Sequence, residues 1–277
     1  MTKTIKQLLL STKAALNSTL EAKILLQHLL NISYEEILQK DNQIILDKDI
    51  RNLEQLIQRR LAKEPIAYIT GSKEFYSLDF SVTKNTLIPR PDSETLIDAV
   101  LSEYDKNFNG RIIDLGTGSG CLIITLLKHL QNAHGVAIDI SDKALAVAKQ
   151  NSNKHDVSDR LELLNTSWNN LKLDTKYDIL ISNPPYIETN DINILEDDVK
   201  NFEPITALNG GTDGMSCYKE IFDLSRKTLK HQSKIFIEIG HNQENQIRDL
   251  SIKKGLVVLK TYQDLTHIVR CIQLALD

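Results

Sequence analysis

No apolar run in this 277-residue chain approaches the roughly 20 residues needed to cross a bilayer. One of the longest mainly apolar stretches, Cys121 to Leu127, falls far short, which excludes a membrane-spanning helix there and argues against a membrane partner. The stretch Leu8 to Leu10 is likewise too short for a signal-peptide core of about 7 to 15 residues, so the chain is expected to stay in the cytoplasm. Cysteine is scarce: Cys121, Cys217 and Cys271 are odd in number and widely spaced, which suits neither a disulfide framework nor a zinc site. Buried thiols are expected instead. The seven histidines include no pair at i, i+4 spacing, and neither G-x-S-x-G nor G-x-x-x-x-G-K-[ST] occurs. No metal site is expected, and metallohydrolase, serine-hydrolase and P-loop chemistries are disfavoured. A basic excess is also missing. Lys+Arg 33 against Asp+Glu 37 leaves a net charge of −4, so a partner held mainly through phosphates, such as nucleic acid, is not expected.

What remains is a globular composition, 41% hydrophobic and 25% charged, with room for one large or two unequal domains. Residues 1 to about 64 read as helices without an intervening strand pattern. Ile50, Leu53, Leu56, Ile57 and Leu61 fall on one helical face, Ser33 and Glu36 fit a capping box, and Asp47 is placed to cap the next helix, which Pro65 stops. Residues 1–72 carry ten Lys/Arg against eight Asp/Glu, leaving the excess acid in the rest of the chain. From Phe75 the period changes: Tyr76, Leu78, Phe80 and Val82 alternate with polar residues as in a half-buried strand. Ile88-Pro89-Arg90-Pro91 then removes two N–H donors and fixes two φ angles, reading as a stiff joint or an ordinary surface connection. The expected division is 1–72 helical, 73–91 a hairpin and proline-rich linker, and 92–277 the larger domain. There, strands at 111–115, 135–140, 161–164, 177–182 and 234–239 alternate with helices, the rhythm of a largely parallel α/β sheet. The stretches 256–261 and 267–274 are joined by too short a link for a crossover helix, so an antiparallel hairpin ends the chain.

The first of these strands leads into Asp114-Leu115-Gly116-Thr117-Gly118-Ser119-Gly120 and then the helix-forming run from Cys121. A strand, a glycine turn and a helix N-terminus form a nucleotide-type site, because glycine lets a ligand approach the backbone and free N–H groups favour negative charge. A tight turn without a ligand has the same letters. Asp139 ends the next strand, 19 residues beyond Gly120, where a carboxylate can accept both ribose hydroxyls of an adenosine. Dinucleotide enzymes and methyltransferases both use that arrangement, although G-x-G-x-G behind Asp114 fits S-adenosylmethionine better than G-x-G-x-x-G does. Helix capping is the other use for Asp139, and Ser141 is better placed for it. Trp168, the only tryptophan, follows the third strand and either covers an adenine face or packs in the core.

The most informative segment is Ile179 to Tyr186, in which a buried strand runs straight into Asn183-Pro184-Pro185-Tyr186. Two prolines force a stiff loop out of the sheet's carboxyl edge, where open α/β sheets place their ligands. The Asn183 amide oxygen and the Pro184 carbonyl offer two acceptors for a planar NH₂ group, and Tyr186 can stack on that plane. An amide or exocyclic amine is a poor nucleophile because its lone pair is delocalised. Two acceptors aim that lone pair at a methyl donor, and orientation of this kind is worth about 7 to 11 kcal/mol. Asn183 is neutral, so no strong base is assigned. The proton leaves after transfer has made the nitrogen cationic.

The combined pattern resembles the bacterial protein-(glutamine-N5) methyltransferases that modify peptide-chain release factors. The resemblance covers roughly residues 55 to 270 and rests on seven stretches. They are Arg60 to Phe75, Ile88 to Pro91 with Glu94, Asp114 to Cys121, Asn183 to Ile187, Phe202-Glu203-Pro204, Gly210 to Gly214 and Glu238 to Asn242. The N-P-P-Y element is shared with nucleic-acid amino-methyltransferases; I-P-R-P and the span from F-E-P to G-G-T-D-G are more specific. The resemblance implies a class I, Rossmann-like methyltransferase domain behind a small all-α domain that helps dock a class 1 release factor. It also implies an enzyme acting on the glutamine of a Gly-Gly-Gln motif; a monomer is the expected state. Carried over, Gly116, Thr117, Gly118, Ser119, Gly120, Asp139 and Asn183 would hold S-adenosylmethionine, with Trp168 against its adenine. Asn183, Pro184, Pro185 and Tyr186 would hold the glutamine, Asn183, Pro184 and Tyr186 acting in catalysis. The family often has an acidic residue before the tryptophan, and Ser167 stands here. Two other readings use the same motifs: a nucleic-acid amino-methyltransferase, disfavoured by the charge, and a binding module without turnover, for which Asn183, Tyr186 and Asp139 would have no purpose.

Overall fold

The computed structural model describes residues 2–171 and 175–277, which form two compact units. The first comprises the chain up to Ser72 with the short segment Glu196–Phe202. It is built from β1 (Lys3–Thr4), α1 (Ile5–Leu16), α2 (Thr19–Leu30), α3 (Tyr34–Gln39), β2 (Ile44–Ile45), α4 (Asp47–Leu61) and α5 (Ile66–Thr70). Local chemistry sets the helix ends. Thr4 with Gln7 and Ser33 with Glu36 each form a capping box, and Ser18 caps α2 by accepting from the Glu21 N–H. Asn17 and Asn31 close α1 and α2 in the left-handed conformation. Ile5, Leu8, Leu25, Leu26, Ile37, Ile50, Leu53 and Ile69 make the core, and Arg60 pairs with Glu21 at 3.0 Å.

Three local expectations change. A strand ladder does occur, β1 pairing antiparallel with β2, but at two residues per strand it has no readable period. Asp47 occupies the first turn of α4, and Leu46 stands at the cap position without a side-chain bond. Leu61 is exposed, since the apolar stripe of α4 leaves the core before the helix ends.

The second unit holds the remaining described residues. It opens with a two-stranded hairpin, β3 (Ser72–Phe75) and β4 (Leu78–Ser81). Tyr76 and Ser77 turn the chain at φ 51° and 61°, so the alternation from Phe75 belongs to two strands and not to one. Phe75, Phe80 and Val82 are nevertheless buried. A 3-10 turn at Pro91–Ser93 leads into α6 (Glu94–Leu101). Then follow β5 (Arg111–Leu115), α7 (Cys121–His129), β6 (His134–Asp139), α8 (Asp142–Lys154), β7 (Leu161–Asn165) and β8 (Tyr177–Ser182). The short α9 (Asp197–Lys200) belongs to the first unit, and α10 (Ser216–Thr228), β9 (Leu229–Glu238), α11 (Glu244–Lys253), β10 (Leu256–Gln263) and β11 (Val269–Leu276) complete the second.

Seven strands form one sheet in the order β10-β11-β9-β8-β5-β6-β7. Pairing is parallel from β9 to β7, whereas β11 lies antiparallel between β9 and β10. This is the class I methyltransferase fold, with the C-terminal hairpin inserted at one edge. Both faces of the sheet are covered, as a parallel sheet requires. Ile112, Ile179, Ile181 and Phe236 belong to one core cluster with residues of α6 and α7; Ile113, Leu180, Ile235 and Ile237 belong to another with α10 and α11. β9 begins earlier than its apolar run suggests, at Leu229, because Lys230, His231 and Gln232 interrupt the pattern. Among the described residues no helix is long and apolar enough to cross a membrane.

Candidate active site

Chain order reverses between β5 and β8: β6 and β7 lie on one side of β5, and β8 pairs on the other, with Asp114 opposite Ile181. Such a switch point opens a crevice at the strand ends. The Ser182 hydroxyl donates to the Leu115 carbonyl at 2.6 Å, so the loops leaving β5 and β8 start side by side. Gly116, Thr117, Gly118, Ser119 and Asn183 accordingly line a single cavity of about 280 Å³. The wall continues through Leu87, Pro89 and Arg90, through Asp139 to Ser141, and through Ser167 and Trp168.

The loop after β5 is held from behind. The N–H groups of Gly116 and Thr117 both donate to the Ile138 carbonyl, at 2.9 and 3.0 Å. Gly118 has φ +55° and a side chain there would meet nothing within 4 Å, so the backbone is bare toward open space. At Gly120, φ is +81° and a Cβ would lie 2.8 Å from Ile124 Cδ1; this glycine forms the turn into α7 and does not line the cavity.

Asp139 accepts the Gly118 N–H at 2.9 Å on Oδ2 and the Ser141 N–H at 2.9 Å on Oδ1. Helix capping falls to Ser141, whose hydroxyl accepts from the Ala144 N–H. Each Asp139 oxygen retains acceptor capacity toward the cavity. Burial raises its pKa, and the backbone N–H groups oppose that rise. Asp114 lies deeper: Oδ2 accepts the Thr117 hydroxyl at 2.6 Å, Oδ1 is buried without a partner, and desolvation lifts the group to about 7. Trp168 packs on the second core cluster and also lines the cavity.

On the β8 side, Asn183 and Pro185 line the cavity, Pro184 is buried, and Tyr186 is half-buried with its hydroxyl donating to Glu238 Oε1 at 3.3 Å. Asn183 Nδ2 donates to Ser93 Oγ at 3.1 Å, leaving its amide oxygen for other partners. The loop backbone is fixed farther on: Gln243 Nε2 donates to the Tyr186 carbonyl, and Ile187 exchanges bonds with Leu208 and Gly210. Several further contacts join residues far apart in the chain. Glu203, 5% exposed, accepts the Ile88 N–H at 3.1 Å and Arg90 Nη2 at 2.5 Å, tying F-E-P to I-P-R-P. Ser93, itself on the cavity wall, accepts from Asn183, and Glu238, outside the wall, accepts from Tyr186. All three cysteines are free; Cys271 is buried, whereas Cys121 and Cys217 are only partly so, and both line the cavity. No group of three or more potential metal ligands occurs among the described residues.

The release factor glutamine methyltransferase of Thermodesulfovibrio yellowstonii is 34% identical to this chain over 252 residues, covering 90% of each. The chain belongs to that family. Its counterpart from Clostridium acetobutylicum is 35% identical over 91% of this chain and 89% of its own length. The methyltransferase small domain family matches residues 92–200, and the family described as the PrmC N-terminal domain matches 6–71. A bifunctional methyltransferase of Rickettsia bellii is 40% identical over 94% of this chain but only 51% of its own length. Thus the chain spans about half the length of the Rickettsia relatives it matches. Among solved structures, the ribosomal protein L11 methylase of Lactobacillus delbrueckii subsp. bulgaricus shares the fold, with a TM-score of 0.51 at 15% identity over 69% of this chain and 81% of its own. For this family member the glycine loop, Asp139 and the Asn183 loop thus form one cavity in a methyltransferase fold.

Proposed function

We propose that this chain transfers a methyl group from S-adenosyl-L-methionine to the side-chain amide nitrogen of the glutamine in the Gly-Gly-Gln motif of class 1 peptide-chain release factors. One observation carries the reading: across the β5–β8 switch point, a bare glycine loop with Asp139 and the Asn183 amide line the same cavity. Family membership supplies the acceptor class.

The residues suit the donor. Gly118 leaves room for a ligand against the backbone, Asp139 keeps one acceptor position on each oxygen for a ribose diol, and Ile140 and Trp168 offer apolar surface for a base. Bound there, S-adenosylmethionine supplies an electrophilic methyl group. Asn183 keeps its oxygen for an acceptor NH₂ because its own NH₂ is committed to Ser93. The prolines stiffen the loop backbone that carries Asn183, and the bond to Ser93 holds its amide. As the new N–C bond forms and the C–S bond breaks, the amide nitrogen becomes cationic and sheds its proton to solvent. No base is needed beyond water, and Asn183 acts by orientation.

The helical unit we assign to docking the release factor, a role that rests on family membership. The test is transfer of labelled methyl from S-adenosylmethionine to a release factor, with a Gln→Ala variant of its Gly-Gly-Gln motif and with RNA as parallel acceptors. Label only on the intact motif supports the proposal. Label on RNA, or on the variant, refutes it.

A further inference from the structure

We infer that Glu238, outside the cavity wall, is a positioning residue that fixes which face of the Asn183 amide meets the acceptor, acting through the Ser93 hydroxyl. The inference rests on the functional reading above and extends it to a group that touches neither donor nor acceptor.

A hydroxyl has one proton to give. Ser93 Oγ accepts from Asn183 Nδ2, so its proton must go elsewhere, in a corner where Ser93 is only 2% exposed. Glu238, at the end of β9 and also 2% exposed, holds the other end of the same loop through Tyr186, and the Ser93 hydroxyl lowers its pKa. Oε1 of Glu238 accepts from Tyr186, whereas Oε2 is buried with no hydrogen-bond partner. A donor lacking an acceptor and an acceptor lacking a donor therefore share one buried corner, where leaving both unmade is costly.

Chemistry then dictates direction. A carboxylate cannot donate, so Ser93 gives its proton to Glu238 and can only accept from Asn183. Asn183 must present NH₂ to Ser93 and keep its oxygen for the cavity. Were position 238 a donor, Ser93 could accept from it and donate to the Asn183 oxygen, turning the Asn183 NH₂ toward the acceptor's own NH₂. The same carboxylate holds Tyr186, so both ends of the N-P-P-Y loop depend on it.

Burial pushes Glu238 up to about 7, with Ser93, Tyr186 and Arg270 lowering it and Asp92 raising it. Tyr218 donates to its main-chain carbonyl, and the Cys121 and Cys271 thiols, both raised by burial, also face it. The donor-free state is thus the one present above about pH 7, and protonation below that pH removes the restriction on Ser93.

The test is kcat against pH for methyl transfer from S-adenosylmethionine to a release factor, with cofactor Kd and thermal melts, in Glu238→Gln, Ser93→Ala and the double variant. Glutamine keeps an acceptor for Tyr186 but brings a donor toward Ser93. Expected for Glu238→Gln are an unchanged cofactor Kd, a kcat about tenfold lower or worse, and loss of the acid limb near pH 7. Ser93→Ala alone should also abolish that limb, and the double variant should fall no further than Ser93→Ala. A Glu238→Gln enzyme with the wild-type kcat and limb, or losses that multiply in the double variant, overturns the inference. Should Glu238→Gln not fold, retention of the limb in Ser93→Ala overturns it. Wild-type chain inactive on the release factor defeats the functional reading and this inference with it.

Discussion

Asp139→Ala should weaken S-adenosylmethionine binding by roughly two to four orders of magnitude. Both carboxylate oxygens already hold one backbone N–H at 2.9 Å, Gly118 on Oδ2 and Ser141 on Oδ1, so the carboxylate cannot swing away. Each oxygen then takes one ribose hydroxyl. A hydrogen bond to a charged group contributes about 1.5 to 3 kcal/mol, so the two together supply about 3 to 6 kcal/mol. At about 1.4 kcal/mol per tenfold, that is roughly 10² to 10⁴ in Kd. Asp139→Asn keeps one acceptor but sets an NH₂ against a backbone N–H, and should fall between. Isothermal titration calorimetry with S-adenosylmethionine reads the effect, and a thermal melt of the free variants shows that the loop has not unfolded. Binding of a folded Asp139→Ala variant within about threefold of wild type would refute the assignment.

Asn183→Ala should abolish methyl transfer while leaving cofactor Kd within about tenfold, a change near 1.4 kcal/mol, because the amide is aimed at the acceptor; normal turnover would sink that role. Asp114 is raised from 3.8 to about 7 by burial, so its neutral form favours folding. The stability it contributes is complete below its unfolded pKa and is lost as pH rises toward 7, by at most roughly 4 kcal/mol. Relative to Asp114→Asn, wild type should therefore lose stability between pH 4 and 7 in urea titrations. Parallel curves would contradict the burial argument. Deleting residues 1–72 should raise KM for an intact release factor far more than for a Gly-Gly-Gln peptide, and equal increases would remove the docking role.

The features legible in the sequence are those carried by neighbouring residues. A glycine turn between strand and helix, an acid at the end of the next strand and two prolines after a buried strand each announce a local backbone constraint, and topology then brings them together. The alternating apolar strands likewise indicated the sheet, and the short link after Gln263 its terminal hairpin. Features that depend on residues distant in the chain gave no signal. Glu203 meets Arg90 across 113 positions and Ser93 meets Asn183 across 90, and neither pairing has a spacing to read. The β3–β4 turn was hidden for a different reason: Tyr76 and Ser77 adopt positive φ without the glycine or asparagine that usually marks it. Asp47 illustrates a one-residue error, since an acid in the first turn of a helix and an acid at its cap look alike in sequence.

The most direct test of the account is fragmentation mass spectrometry of a class 1 release factor after incubation with this chain and S-adenosylmethionine. One added methyl is expected, located on the side-chain amide of the Gly-Gly-Gln glutamine and absent when Asn183→Ala replaces the wild type. An unmodified glutamine, with methyl found instead on an exocyclic amine of RNA or DNA in parallel reactions, would contradict it.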